Sequence, residues 1–191
     1  MKRLGLTILL AGMLCVGPAT AQTEGTPHVY KRAGGQELKL YTVVPGDWKA
    51  GQKHPALVFY HGGGWTGGGP SAFNEQALYL AKRGMVCVLV EYRLMGAELV
   101  PPTVCIEDAR SALRWVRGHA AELGVDPGRV AAAGDSAGGH LAACLGLELG
   151  SSDPGDDLSV SSRPDALILY NPVIDNGPAG YGYRRMGERY K

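Results

Sequence analysis

Charge of one sign is missing from this 191-residue chain, in which nineteen Lys and Arg face eighteen Asp and Glu for a formal net charge of +1. That balance excludes association driven by a broad charged field, nucleic-acid binding first among such functions. A membrane-spanning run is missing too: the longest apolar stretch, Leu4 to Val16, falls short of the ~20 residues a spanning helix needs. There is no CxxC, no HExxH and no calcium-loop spacing, so no metal is expected. Cysteine is sparse, at four, and no histidine follows His140.

Met1-Lys2-Arg3 begins the chain with positive charge, the apolar run follows, and Gly17-Pro18 breaks it. Ala19-Thr20-Ala21 then offers the small residues a signal peptidase accepts. The pattern predicts a signal peptide over 1–21, a mature chain from Gln22 and a secreted or periplasmic location, with no stable membrane anchor after cleavage. Cys87, Cys105 and Cys144 remain, an odd number that cannot all pair within one chain. Cys87 falls in an apolar strand pattern and Cys144 in an apolar helix, which predicts buried thiols. The length fits one domain, 22–191.

Strand and helix patterns alternate along that domain. Glu37 to Val44 alternates as a leading strand, and Pro55 to Tyr60 is a short apolar run buried on both faces. A helix is expected from Ser71 to Arg83, then a strand over Met85 to Glu91. After Pro101-Pro102, the stripe Cys105, Ala109, Ala112, Leu113 and Val116 marks one face of a helix packed on a sheet. Gly124 stops it. Val130 to Gly134 reads as a strand, Ala137 to Leu149 as a helix, Ser151 to Arg163 as a polar surface loop and Ala166 to Tyr170 as a further strand. The fold class is α/β, a mostly parallel sheet with helices on both faces.

Twenty-nine glycines in 191 residues, or 15%, are about twice the usual ~7%. They cluster at two strand ends. Gly134-Asp135-Ser136-Ala137-Gly138-Gly139 matches GxSxG between a strand and a helix, where a nucleophilic serine is presented on a tight elbow. Helix propensity opposes Gly138-Gly139, so a geometric demand explains them. His61-Gly62-Gly63-Gly64-Trp65 follows the buried strand. Acyl transfer develops an oxyanion that needs two or three N–H groups aimed at one point, and Gly63, Gly64 and Ala137 are the natural donors. His61 reads as a structural loop histidine and Trp65 as a loop anchor or pocket wall. The same stretch also spells GxGxxG, with Gly62, Gly64 and Gly67, and Glu91 closes the next strand. A dinucleotide site is thus an alternative. Against it, Gly68-Gly69-Pro70 delays the helix, and an exported protein meets little NAD.

His61-Gly62-Gly63-Gly64-Trp65, Tyr92-Arg93-Leu94, Glu107-Asp108-Ala109 and Gly134-Asp135-Ser136-Ala137-Gly138-Gly139, in that order, resemble the hormone-sensitive-lipase-like branch of the α/β-hydrolases. That branch holds bacterial carboxylesterases and polysaccharide-deacylating esterases, and the likeness spans Leu38 to Asp175. One departure is Met95-Gly96, where many members carry Ala-Pro-Glu after the leucine. The resemblance implies Ser136 as nucleophile of a carboxylic-ester hydrolase, Gly63, Gly64 and Ala137 as oxyanion hole, no cofactor, and a small-molecule or polysaccharide ester as substrate. It also implies a triad Asp and His after the nucleophile. No histidine follows His140, which shares the nucleophile's helix and is expected to pack. His119 is expected on an outward helix face. Asp175 is the one candidate for a displaced acid. The expectation is therefore the N-terminal part of a longer hydrolase, lacking its base, inactive alone and with an apolar sheet edge open. A non-catalytic remnant with a binding role is the other alternative.

Overall fold

A computed structural model describes residues 22–95 and 101–186. The signal-peptide expectation for 1–21 lies outside these residues. A six-stranded sheet is ordered β1-β2-β4-β3-β5-β6, from β1 (Thr26–Ala33), β2 (Gln36–Val43), β3 (His54–Tyr60), β4 (Val86–Val90), β5 (Val125–Asp135) and β6 (Ala166–Tyr170). β4, β3, β5 and β6 run parallel to one another, and the β1–β2 hairpin adds antiparallel through β2 against β4. The helices are α1 (Asn74–Ala81), α2 (Pro102–Gly118), α3 (Ala120–Leu123), α4 (Ser136–Gly146) and α5 (Tyr181–Met186). A 3₁₀ turn, Pro70–Phe73, precedes α1.

The central strands are continuous apolar runs because both faces are covered. Ala56, Val58 and Tyr60 of β3 pack with α2 and α4, and the alternate Leu57 and Phe59 pack with Phe73 and α1. The five predicted stripe residues of α2 are all fully buried. Cys87, Cys105 and Cys144 are buried free thiols.

The structure changes several boundaries. The helix expected from Ser71 starts as 3₁₀ and becomes α-helical at Asn74. The helix expected to reach Leu149 ends at Gly146, because Glu148 turns to φ +57° and Leu149 N–H returns to the Cys144 carbonyl. β5 begins earlier, since Val125 pairs with His54 before an Asp126–Arg129 excursion. Gly124 caps the short α3 at φ +63°, a helical turn beyond the end of α2. β1 has no counterpart in the apolar pattern, as it carries Pro27, Lys31 and Arg32 on a sheet edge. Loop 151–163 is more than surface: Arg110 donates to the buried Ser162 hydroxyl, and Arg114 to Asp156 and the Val160 carbonyl.

β1 is held to α2 by charge. Lys31 Nζ lies 2.9 Å from Asp108 and 2.7 Å from Asp153, while Arg93 approaches Asp108 at 2.6 Å. Asp108 is fully buried. At the far edge, β6 pairs only with β5 among the described residues, and Leu167 to Tyr170 stay 37–45% exposed. Asp108→Ala would leave the half-buried Lys31 and Arg93 short of their shared carboxylate, though Asp153 and Glu107 remain near them, and cost up to about 3 kcal/mol. Urea unfolding of the variant against the parent chain measures that loss.

Candidate active site

The strand β5 ends at Asp135 and α4 begins at Ser136, with no loop between them. Ser136 sits at φ +49°, left-handed backbone that costs a non-glycine residue about 1–3 kcal/mol unless its surroundings impose it. The surroundings do. A Cβ on Gly138 would strike the carbonyl oxygens of Tyr60 and His61 at the end of β3, and one on Gly134 would strike the Gly138 carbonyl. Both glycines of the motif are therefore required by contact. Gly139 is crowded in turn by Pro172.

Asp135 occupies the N-cap position of α4 yet makes no capping bond. Its carboxylate instead accepts the Gly62 N–H at 2.6 Å, tying the elbow to the glycine turn. The sequence alone gave no sign of this contact. The turn itself closes by Thr66 and Gly67 N–H groups donating to the Gly63 carbonyl. Among the described residues, no backbone hydrogen bond uses the N–H of Gly63 or Gly64. Ala137 lies in the first turn of α4, where N–H groups have no intrahelical partner. Trp65 is fully buried and meets His140 edge-on at 5.3 Å, so it anchors the turn.

Ser136 is half-buried and opens on a cleft of about 440 Å³ lined also by Asn171, Pro172, Val173, Ile174, Asp175 and Tyr181. The Val173 N–H donates to the Ser136 carbonyl at 3.1 Å, which fixes this wall to the elbow. Ser136 and Asp175 thus share one cleft, whereas Gly63, Gly64 and Ala137 are not among its lining residues. Asp175 Oδ1 accepts the Gly177 N–H, the local turn of a loop aspartate. Tyr181, from α5, is a lining residue that no sequence pattern marked.

All five histidines lie within the described residues, and Ser136 Oγ takes part in no hydrogen bond there. His54 bonds the Gly84 carbonyl and Gln52, His28 bonds Thr42, and His119 stacks on Trp115. His61 is buried, bonds the Gly62 carbonyl through Nδ1 and stacks on Tyr92, as a structural loop histidine would. His140 packs beside Trp65 with Nε2 3.4 Å from Cys144 Sγ. Burial lowers it to about 4. Glu91, the carboxylate a dinucleotide ribose would need, is engaged by Lys39 N–H and the Tyr41 hydroxyl. Among the described residues the arrangement offers a half-buried serine on a strained elbow at a cleft, a glycine turn with unspent donors and no paired base.

A family model described as alpha/beta hydrolase fold matches residues 57–189. Carboxylesterase NlhH of Mycobacterium tuberculosis is 46% identical over 145 residues, which are 66% of this chain and 44% of that protein. The esterase 2 of Thermogutta terrifontis phosphoramylated by tabun superposes with a TM-score of 0.81 at 43% identity, over 87% of this chain and 64% of that one. Its propionate-bound form gives 0.78 at 43% identity, over 86% and 62%. The chain spans less than half the length of NlhH.

Two outcomes follow from the geometry. Gly138→Ala has no space for its methyl against β3, and overpacking of this kind costs about 1–3 kcal/mol or more; the variant's melting temperature should fall accordingly. His140 takes up its proton less readily folded than unfolded. Stability is therefore full above about pH 6.5 and declines as pH falls towards 4, by roughly 3 kcal/mol for a depression of this size. Buried His61, also lowered, acts in the same sense. His140→Leu should flatten that part of the slope in urea midpoints measured between pH 7.5 and 4.5.

Proposed function

The chain belongs to the α/β hydrolase fold family, and on that premise we propose that it carries the nucleophilic half of a serine carboxylesterase, forming an acyl-enzyme on Ser136. The observation that carries this reading is Ser136 at φ +49° between two contact-required glycines, open to a cleft. In the proposed reaction the Ser136 oxygen attacks the ester carbonyl, and its proton passes to a base. The N–H groups of Gly63, Gly64 and Ala137 take the oxyanion, a donor set in which each member is worth ~3–4 kcal/mol of transition-state stabilisation. Collapse of the tetrahedral species expels the alcohol and leaves the acyl group on Ser136.

The substrate we propose is a short-chain carboxylic ester. A relative of 43% identity has been seen bound to propionate, which supports this reading. Polysaccharide-borne acyl groups fall in the same class. Export, read from residues 1–21, belongs to the proposal and puts the substrate outside the cytoplasm. Because no histidine pairs with Ser136, the chain alone is assigned the nucleophile and oxyanion donors, and activity by itself is expected to be slight.

Added imidazole supplies the missing proton acceptor and so tests the reading. With p-nitrophenyl propionate, the chain in imidazole should release p-nitrophenolate faster than its Ser136→Ala variant, and peptide mass spectrometry should place one propionyl group on Ser136. Equal rates for the two proteins and no acylated Ser136 would leave the second reading, a binding-only remnant, which the unpaired serine favours.

A further inference from the structure

The Tyr92-Arg93-Leu94 and Glu107-Asp108-Ala109 signatures take no direct part in that chemistry, yet the structure connects them to it. β4 lies parallel to β3 with Val90 opposite Tyr60. Residues 91–95 therefore leave the sheet at the same end as residues 61–65. Tyr92 is buried, its ring stacks on His61 at 4.4 Å, and its hydroxyl donates to the His61 carbonyl at 2.6 Å. Three residues later, Met95 N–H donates to the Trp65 carbonyl at 2.7 Å. One strap thus holds the first and last residues of the glycine turn, and Asp135 holds Gly62 between them.

The turn needs such restraint. Gly63, Gly64 and Trp65 have φ of +125°, +60° and +60°. Trp65 is not a glycine, and left-handed backbone persists at such a residue only where its neighbours over-determine it. The strap is itself pinned: Arg93 donates through its N–H, Nε and Nη2 to the buried Asp108 carboxylate at 2.6–2.9 Å, and the Cys105 thiol donates to the Arg93 carbonyl. Burial pushes the Tyr92 phenol well above its ordinary range, so it stays a donor at any working pH.

We propose that Tyr92 is a positioning residue for the oxyanion site, and that the 91–95 strap, fastened by Arg93 to Asp108, fixes the aim of the Gly63 and Gly64 amides. The effect on rate rests on the acylation of Ser136 proposed above. Donor placement acts on the developing oxyanion, so its loss lowers the limiting rate of acylation and leaves the half-saturating substrate concentration unchanged. A displacement of about 1 Å at such donors can cost on the order of a hundredfold.

Tyr92→Phe keeps the ring and removes the hydroxyl's contacts with the His61 carbonyl and, at 3.4 Å, with His61 Nδ1. In the imidazole assay, with rates taken per folded protein from circular dichroism, its limiting rate of Ser136 propionylation should fall about ten- to hundredfold at constant half-saturation. Its assigned amide NMR signals for Gly63 and Gly64 should shift, while those of Gly84 and Gly124 stay in place. A limiting rate within about twofold of the parent overturns the proposal, as do unmoved Gly63 and Gly64 signals. Should the parent chain fail to acylate, the esterase reading falls alone, and the amide signals decide whether Tyr92 sets the turn.

Discussion

The site depends on how closely α4 runs past the end of β3. Gly138 lies against the carbonyls of Tyr60 and His61 with no room for a methyl group. That approach is possible because β3 and β5 are parallel neighbours, with Tyr60 in register with Gly134. It forces Ser136 into left-handed backbone and, one residue earlier, brings Asp135 within hydrogen-bond reach of Gly62. Strain at a nucleophile survives only if the rest of the fold holds it. Here the holding force is the burial of β3 and β4, whose central residues are almost wholly removed from water.

Apolar packing and buried charge divide the work. The sheet and its helices stack by shape, while Asp108, Arg93, Lys31 and Asp153 form an ionic layer where β1, α2 and two loops meet. A buried carboxylate shared by two cations gains little net stability over an apolar substitute, but it tolerates few alternative arrangements. It therefore sets where the chain segments beside the glycine turn lie, which close-packed aliphatic groups alone would do less strictly.

What could be read from the sequence was local. Ser136 with Gly134 and Gly138 was legible because the motif's spacing is itself the steric demand, and α2 because its stripe repeats at helical period. The strands β3, β4 and β6 declared themselves differently, as short unbroken apolar runs. β1 escaped because Pro27, Lys31 and Arg32 give an edge strand no apolar period, although Gly34-Gly35, both at positive φ, marked its hairpin. The Asp135–Gly62 bond joins residues 73 apart in sequence, and no pattern of residue types announces such a contact. Tyr181 reaches the cleft from α5, a six-residue helix with Gly182 and two arginines and no apolar stripe. Asp175 was legible only as a candidate acid after the last strand; β6 ends at Tyr170, the structure sets Asp175 at the cleft, and its partner there is a turn amide.

The buried thiols carry a consequence for the folded chain's redox chemistry. Cys87, Cys105 and Cys144 are enclosed by packing that pushes them up to about 12, 12 and 11. Thiolate is the form that attacks oxidants and disulfides, and these groups hold almost none of it at neutral pH. Once folded, the domain therefore keeps these three thiols slow to react with oxidants or glutathione on either side of a membrane.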